Sequence, residues 1–271
     1  MKRADVLIYE RGLSPSRQKA RALIEEGKVT LTESGKPVAK PSQLLEEETA
    51  LTVTDEPRYV SRGGDKLEKA LNVFGVSPEG KVCLDCGAST GGFTDCLLQH
   101  GAQLVYALDV GHDQLAEKLR HDERVISKEH VNVRFLSEAE VPEKVGLAVA
   151  DLSFISLTLV MEPIASRVIP GGEMIFLVKP QFEAGREGLS SKGVVKDPKV
   201  HKRVLKAVVT AAGALGLETE GLCKSPIKGQ EGNTEFLIYL KNTEEGESRP
   251  TSLTAFSDKA ERMITAAVSE S

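Results

Sequence analysis

Four charged residues, Asp85, Asp109, Asp151 and Lys179, each close a short apolar run of the kind that forms a buried strand. The first lies in Cys83 to Phe93, read as C-L-D-C-G-A-S-T-G-G-F. Lys81 to Asp85 predicts a strand, and Phe93, Leu97 and Leu98 fall at helical spacing, so the segment between them is a strand-to-helix turn. Gly87, Gly91 and Gly92 remove side chains where backbone passes close to a ligand, and the following helix aims unpaired N–H groups at the turn. The loop has neither the phosphate-gripping lysine of G-x-x-x-x-G-K-[ST] nor the spacing of G-x-G-x-x-G. Asp85 would repel a pyrophosphate. Asp85-x-Gly87 instead suits a ligand with a cationic or hydroxyl-rich part, and S-adenosylmethionine is such a ligand. Asp109 closes the next strand about 20 residues past the glycines, where ribose hydroxyls are usually held. The candidate cofactor residues are therefore Asp85, Gly87, Ala88, Ser89, Thr90, Gly91, Gly92 and Phe93, then Asp109, Val110 and Asp151.

Strands that alternate with helices must position these groups. After Asp109, Val125-Ile126, Val145 to Ala150 and Glu173 to Val178 read as strands, Ser156 to Val168 as a helix stopped by Pro170-Gly171-Gly172, Lys199 to Leu215 as a long helix, and Glu235 to Leu240 as a closing strand. Glu183 to Lys196 reads as a mobile loop over the site. This order predicts an α/β fold with a mostly parallel sheet covered on both faces. In such sheets ligands sit at the carboxyl ends of strands, so four charges at four strand ends form one candidate active site.

The first 56 residues read as a separate small domain. Ser14-Pro15 predicts a helix start, and Ala20, Leu23, Ile24 and Gly27 form its apolar stripe. Val29 to Leu31 and Leu51 to Val53 read as short strands around a Glu33 to Lys36 turn. Residues 1 to 44 carry nine basic and five acidic side chains, a local charge of +4 on a chain of net charge −5. A basic patch on an acidic protein suggests a polyanion partner. Residues 57–62 read as a linker, 63–242 as the catalytic domain and 243–271 as an extension without an assigned role. In the helix after the linker, Leu67, Ala70, Leu71 and Phe74 form the stripe and Lys66 flanks it.

With 40% apolar and 28% charged residues, no leader-like segment and no apolar run long enough to span a membrane, a soluble cytoplasmic protein is expected. Cys83-x-x-Cys86 places two thiols on opposite strand faces, which does not converge on a metal. The five histidines show no H-E-x-x-H or Cys/His spacing, and no metal is expected.

Two resemblances sharpen this reading. Leu7, Ser16-Arg17-x-x-Ala20-x-x-Leu23-Ile24-x-x-Gly27-x-Val29 and the strand beyond resemble the S-four-type RNA-binding domain, with Glu33-Ser34-Gly35 in place of its usual asparagine-glycine turn. Arg3, Arg11, Arg17, Lys19, Arg21 and Lys28 become candidate RNA contacts. Residues 1 to about 241 resemble the TlyA-type family, often labelled hemolysin A, whose catalytic domain is similar to FtsJ-type RNA 2′-O-methyltransferases. That family's tetrad matches Lys66 after S-R-G-G, Asp151 opening D-L-S-F-I-S, Lys179 opening K-P-Q-F-E, and Glu235 in G-N-T-E-F. The resemblance implies a Rossmann-like S-adenosylmethionine-dependent methyltransferase sheet with its last strand antiparallel, a small N-terminal α+β RNA-binding domain, and methylation of cytidine 2′-hydroxyls in ribosomal RNA on ribosomal subunits.

An alcohol is a poor nucleophile, and a lysine at its ordinary pKa of about 10.4 is protonated. A second ammonium nearby and burial under RNA favour a neutral amine. The expected roles follow: Lys179 as base or hydroxyl-orienting group, Lys66 as its electrostatic neighbour, and Asp151 and Glu235 as carboxylates that position both. Arg62 and Phe154 stand beside these residues in sequence and are expected near the substrate, Phe154 as a surface for a displaced base. Two other classes remain: a non-catalytic RNA-binding assembly factor, and a membrane-active cytolysin, for which the sequence offers no spanning segment.

Overall fold

The computed structural model describes residues 1–54, 58–185, 188–190, 193–243 and 257–270. The chain divides into two compact units, Met1–Arg58 and Tyr59–Ser271.

In the first unit, β1 (Lys2–Arg3) leads into α1 (Ala4–Glu10), followed by α2 (Arg17–Glu25), β2 (Val29–Leu31), β3 (Leu44–Leu45) and β4 (Leu51–Val53). β1 pairs with β3 and β2 with β4, both antiparallel. Leu7 and Ile8 of α1 bury against Ala20, Leu23 and Ile24 of α2, the stripe expected from spacing. The start of α2 falls two residues later than the sequence suggests. Ser16, not Ser14, is the N-cap, accepting the Lys19 N–H at 3.1 Å, while the Ser14 hydroxyl donates to the Ser16 carbonyl. An extended residue whose oxygen reaches the third helical amide defines a cap, and Ser16 fits that requirement.

The second unit runs α3 (Gly63–Phe74), β5 (Val82–Cys86), α4 (Gly92–Gln99), β6 (Leu104–Leu108), α5 (Glu117–Arg120), β7 (Val125–Lys128), β8 (Val145–Ala150), α6 (Met161–Ala165), β9 (Val168–Val178), α7 (Pro180–Glu183), α8 (Pro198–Ala214), β10 (Leu217–Lys224), β11 (Phe236–Asn242) and α9 (Asp258–Ser269). Its seven strands lie in the order β10-β11-β9-β8-β5-β6-β7. β11 runs antiparallel to both neighbours, and β9, β8, β5, β6 and β7 are parallel. The α/β sheet with a reversed last strand is as expected. From β5 the chain proceeds outward through β6 and β7, then returns to β8 on the other side of β5. That reversal opens a crevice at the carboxyl ends of β5 and β8, where ligands bind in open α/β sheets.

Strand alternation divides the core. Leu84, Cys86, Ala148 and Ala150 pack on one face, Cys83, Val105, Leu147 and Val149 on the other. Cys83 and Cys86 thus point apart, as the spacing predicts, and all four cysteines are buried and outside any disulfide.

Three expectations need correction. Most of residues 57–62 is no linker: Tyr59 is buried, and the Val60 N–H donates to Asp95 Oδ2 at 2.8 Å, because aromatic burial ties the segment to α3 and α4. Asp55 to Pro57 lie outside the described residues. Ser156 to Val168 is not one helix but a 3₁₀ turn at Leu157–Leu159 followed by the five-residue α6. Pro170-Gly171-Gly172 lies inside the eleven-residue β9, where the ladder shifts register beside Val145/Leu147, an irregularity that accommodates proline and glycine. In the expected mobile loop 183–196, residues 186–187 and 191–192 lie outside the described set, while Val194 and Val195 are buried. Of the C-terminal extension, 244–256 and 271 lie outside it, and α9 buries Ala260, Ile264 and Ala267 in the core. Among the described residues no helix is long and apolar enough to cross a membrane.

Candidate active site

Each tetrad side chain reaches the crevice from a different element. Asp151 follows β8 and Lys179 follows β9, so both leave the sheet at its carboxyl edge. Glu235 directly precedes β11, which runs the other way, and its strand start therefore falls at that same edge. Lys66 comes from the first turns of α3 and is buried, not merely flanking the stripe. The result is a continuous chain of charge. Glu235 Oε2 accepts from Lys66 Nζ at 2.7 Å, Lys66 Nζ stands 3.7 Å from Asp151 Oδ2, and Asp151 Oδ1 lies 2.7 Å from Lys179 Nζ. Lys179 Nζ also donates to Ser153 Oγ at 2.8 Å. Two cations and two anions balance, which suits side chains this far from water; an unpaired one would be costly.

The tetrad floors one end of a cavity of about 400 Å³. The other end is the glycine loop, of which Gly87, Ala88, Ser89, Thr90, Gly92 and Phe93 line the wall. Gly87 has φ +83°, and a Cβ there would come 2.9 Å from the Asp151 carbonyl, so only glycine holds the loop this close to the tetrad strand. Gly91 lies behind the wall at the start of α4. Gly92 and Phe93, the first residues of α4, bring that helix's N-terminal end to the cavity.

Asp109 and Asp85 stand differently toward the cavity. Asp109 receives the Ser89 N–H on Oδ2 and the Gly111 N–H on Oδ1, each at 2.7 Å, so it braces the glycine loop from behind and keeps unused lone pairs. Val110 is exposed beside it. Asp85 is fully buried and does not line the cavity: Oδ2 accepts from Thr94 Oγ1 at 2.7 Å, and Oδ1 has no hydrogen-bond partner among the described residues. Burial pushes the Asp85 carboxyl up to about 7, the charges of Asp151 and Asp109 adding to it and the Thr94 hydroxyl opposing. A folded value above the unfolded one, about 3.9, means that its contribution to stability is complete below pH about 4 and is lost as pH rises through about 7. Stability should therefore fall over that range by on the order of a few kcal/mol, and Asp85→Asn should abolish this component. Urea unfolding of both proteins at pH 5 and pH 8 checks it; an unchanged pH difference in the variant contradicts the assignment.

Arg62 lines the cavity next to Ser61 and Gly63. Phe154 lines it too, 91% exposed and at φ +64°, a left-handed conformation rare for a bulky residue. Its ring lies 5.1 Å from that of Phe182, and Lys179 Nζ is 5.9 Å from the Phe182 centroid. Sequence reading missed Ser153, Gln181 and Phe182. Their proximity to Asp151 and Lys179 in the chain was the available signal, but nothing in spacing said which side chains would turn inward.

In the first unit, Arg3 forks onto buried Asp5 at 2.9 and 3.1 Å, and Arg17 reaches the same carboxylate at 3.3 Å. The Arg3 hydrogen bond, joined by Arg17, holds Asp5 below the usual carboxylate range. Arg11 donates to the Thr49 carbonyl at 2.6 Å and to that of Glu47, and Lys28 pairs with Glu26 at 2.8 Å. Arg17 and Arg21 share a shallow hollow on α2, with Lys19 on the same helix. Arg3, Arg11 and Lys28 are thus committed within the unit, Arg17 is half-exposed but tied to Asp5, and Arg21 is exposed.

Residues 59–242 match the model of the FtsJ-like methyltransferase family, and residues 2–51 that of the S4 domain. A Bacillus subtilis protein provisionally named as the rRNA methyltransferase YqxC is 48% identical over 90% of this chain and 87% of its own. The Mycobacterium tuberculosis protein named 16S/23S rRNA (cytidine-2′-O)-methyltransferase TlyA is 44% identical over 88% of this chain and 89% of its own. A solved structure from Streptococcus thermophilus, provisionally described as a hemolysin, has a TM-score of 0.70 at 41% identity, covering 98% of this chain and 95% of its own. The chain belongs to the FtsJ-like methyltransferase family and carries an S4 domain at its N-terminal end.

Proposed function

We propose that the protein methylates the ribose 2′-hydroxyl of cytidine in ribosomal RNA, with S-adenosylmethionine held by the glycine loop and the Lys66-Asp151-Lys179-Glu235 tetrad acting on the hydroxyl. The observation that carries this reading is the unbroken ion-pair chain from Glu235 to Lys179 beside a loop that only small residues can form. The cofactor supplies a methyl group on a sulfonium, an electrophile that needs alignment more than activation. Gly87 to Phe93 would hold the cofactor, and Asp109, which keeps that loop in place, has spare lone pairs that would suit its hydroxyls.

Lys179 orients the attacking 2′-oxygen, and once its own ammonium proton has been lost to solvent the neutral amine can take the hydroxyl proton at Nζ. Asp151 and Ser153 hold that amine in position, and Lys66, locked by Glu235, sets the field around it. Phe154 offers an exposed face to a displaced base, with Phe182 behind it. With the methyl donor bound, most of the rate would come from the position that Lys179 and its partners impose on the attacking oxygen.

The S4 unit supplies affinity through phosphate contacts, with Arg17 and Arg21 foremost. Arg17→Glu/Arg21→Glu is expected to weaken RNA binding by about 10- to 100-fold at moderate salt and to flatten its salt dependence, while S-adenosylmethionine affinity stays within about twofold. Filter binding across a salt series and cofactor titration measure the two; equal loss of both would end this division of labour. The functional reading itself is tested by transfer of labelled methyl from S-adenosylmethionine to separated small subunits, large subunits and naked ribosomal RNA. Incorporation into any of the three is expected. Cofactor binding without incorporation would favour a non-catalytic ribosome factor.

A further inference from the structure

The loops after β6 and β7 carry a second group of side chains, one that methyl transfer does not use. The two strands are parallel neighbours in register, Leu108 opposite Lys128, so the residues just beyond them leave the sheet together. His112 follows β6 by four residues; Glu129 and His130 follow β7 directly. Backbone pairing continues past the strand ends. The Val131 N–H donates to the Asp109 carbonyl at 2.9 Å and the His130 N–H to that of Gly111 at 3.4 Å.

This pairing gathers ligand atoms from residues seventeen and eighteen positions apart. One nitrogen or oxygen from each of His112, Glu129 and His130 lies within 4.8 Å of the others. The two imidazoles face one another with centroids 5.3 Å apart and planes 15° from parallel. Glu129 is fixed at both oxygens, Oε1 accepting the Asp113 N–H at 2.7 Å and Oε2 lying 2.5 Å from His112 Nδ1. Asp113 and His130 both have φ between +50° and +60°, a conformation non-glycine residues keep only where their surroundings fix it.

We propose that His112, Glu129 and His130 form a binding site for one divalent transition-metal ion of the zinc class. Two imidazoles and a carboxylate suit zinc, nickel or copper and discriminate against magnesium and calcium, which take oxygen ligands. Zinc bonds of about 2.0–2.2 Å put tetrahedral ligand atoms roughly 3.4 Å apart. The ligand atoms lie within 4.8 Å of one another, and the His112 side chain, 65% exposed, is the one with room to turn toward that spacing. Three protein ligands leave a position for water. The ion cross-links the loops after β6 and β7, and so adds to the stability of that edge of the sheet.

The test uses the full chain after chelator treatment, with zinc chloride alone as titrant in calorimetry and cobalt chloride in absorption spectroscopy. One zinc per chain is expected, with affinity at least tenfold weaker in His112→Ala and in His130→Ala and undiminished in Lys179→Ala. Zinc should raise the thermal midpoint of the parent protein and not that of the His112→Ala/His130→Ala variant, whose metal-free midpoint should match the parent's. Cobalt should give four- or five-coordinate visible bands without a thiolate charge-transfer band, since the four cysteines are buried elsewhere. Equal zinc affinity in the double variant, a thiolate band, or no saturable binding would each overturn the proposal.

Discussion

Lys179→Ala is expected to lower methyl transfer by about 10²- to 10⁴-fold, the range for loss of a positioned proton-transfer group. The fold should survive, because Asp151 retains Lys66 at 3.7 Å and is not left as a lone buried charge. Cofactor affinity should stay within a few-fold, since the glycine loop is untouched. Lys179→Arg separates chemistry from charge. A guanidinium keeps the cation beside Asp151 but does not release its proton and is planar where an ammonium is compact. It should rescue little of the rate. Single-turnover kinetics with saturating cofactor measure both variants, and near-parental turnover in Lys179→Arg would restrict Lys179 to electrostatics.

The second large effect falls on stability. Glu235 is 2% exposed and is the nearest partner of buried Lys66. Removing one member of a buried pair costs about 3–5 kcal/mol, because the remaining charge stays out of water without its counterion. Glu235→Ala should therefore lower the thermal midpoint by roughly 6–20 °C for a body of this size, at two to four degrees per kcal/mol. Asp151, at 3.7 Å from Lys66, supports the lower part of that range. Glu235→Gln keeps an acceptor for Lys66 and should lose less. The double variant Lys66→Met/Glu235→Leu removes both charges and should regain much of the stability of Glu235→Ala without regaining activity. Differential scanning calorimetry of the parent and the three variants checks the ordering; a midpoint for Glu235→Ala within two degrees of the parent's would show that water already compensates Lys66.

What the sequence disclosed follows a physical divide. Strand ends were legible because apolar runs stop where a charge begins, and Asp151 and Lys179 both fall within one residue of a strand terminus. Lys66 and Glu235 were not: one sits on a helix and the other at the start of a reversed strand, and only the resemblance to a family tetrad singled them out. Asp85 looked like a ligand contact from its place before Gly87, yet strand alternation turns its carboxyl inward onto Thr94. Tyr59 looked like linker because a single aromatic after a charged, proline-bearing stretch carries no periodicity, and its burial depends on α3 and α4 docking around it. The histidines escaped spacing rules for the same reason, since β6–β7 pairing, not local sequence, brings His112 and His130 together. Local propensity and periodicity report on elements, while contacts between distant elements are written only in the packed fold.

Whether the tetrad directs methylation to a ribose hydroxyl is decided by locating the label after transfer from S-adenosylmethionine to ribosomal subunits, by alkaline hydrolysis and nuclease mapping of the RNA. A 2′-O-methyl group blocks cleavage of its own phosphodiester, so label should appear in an alkali-resistant dinucleotide whose 5′ residue is cytidine, and should vanish with Lys179→Ala. Label released in alkali-sensitive mononucleotides, which would place the methyl on a base, would contradict the account.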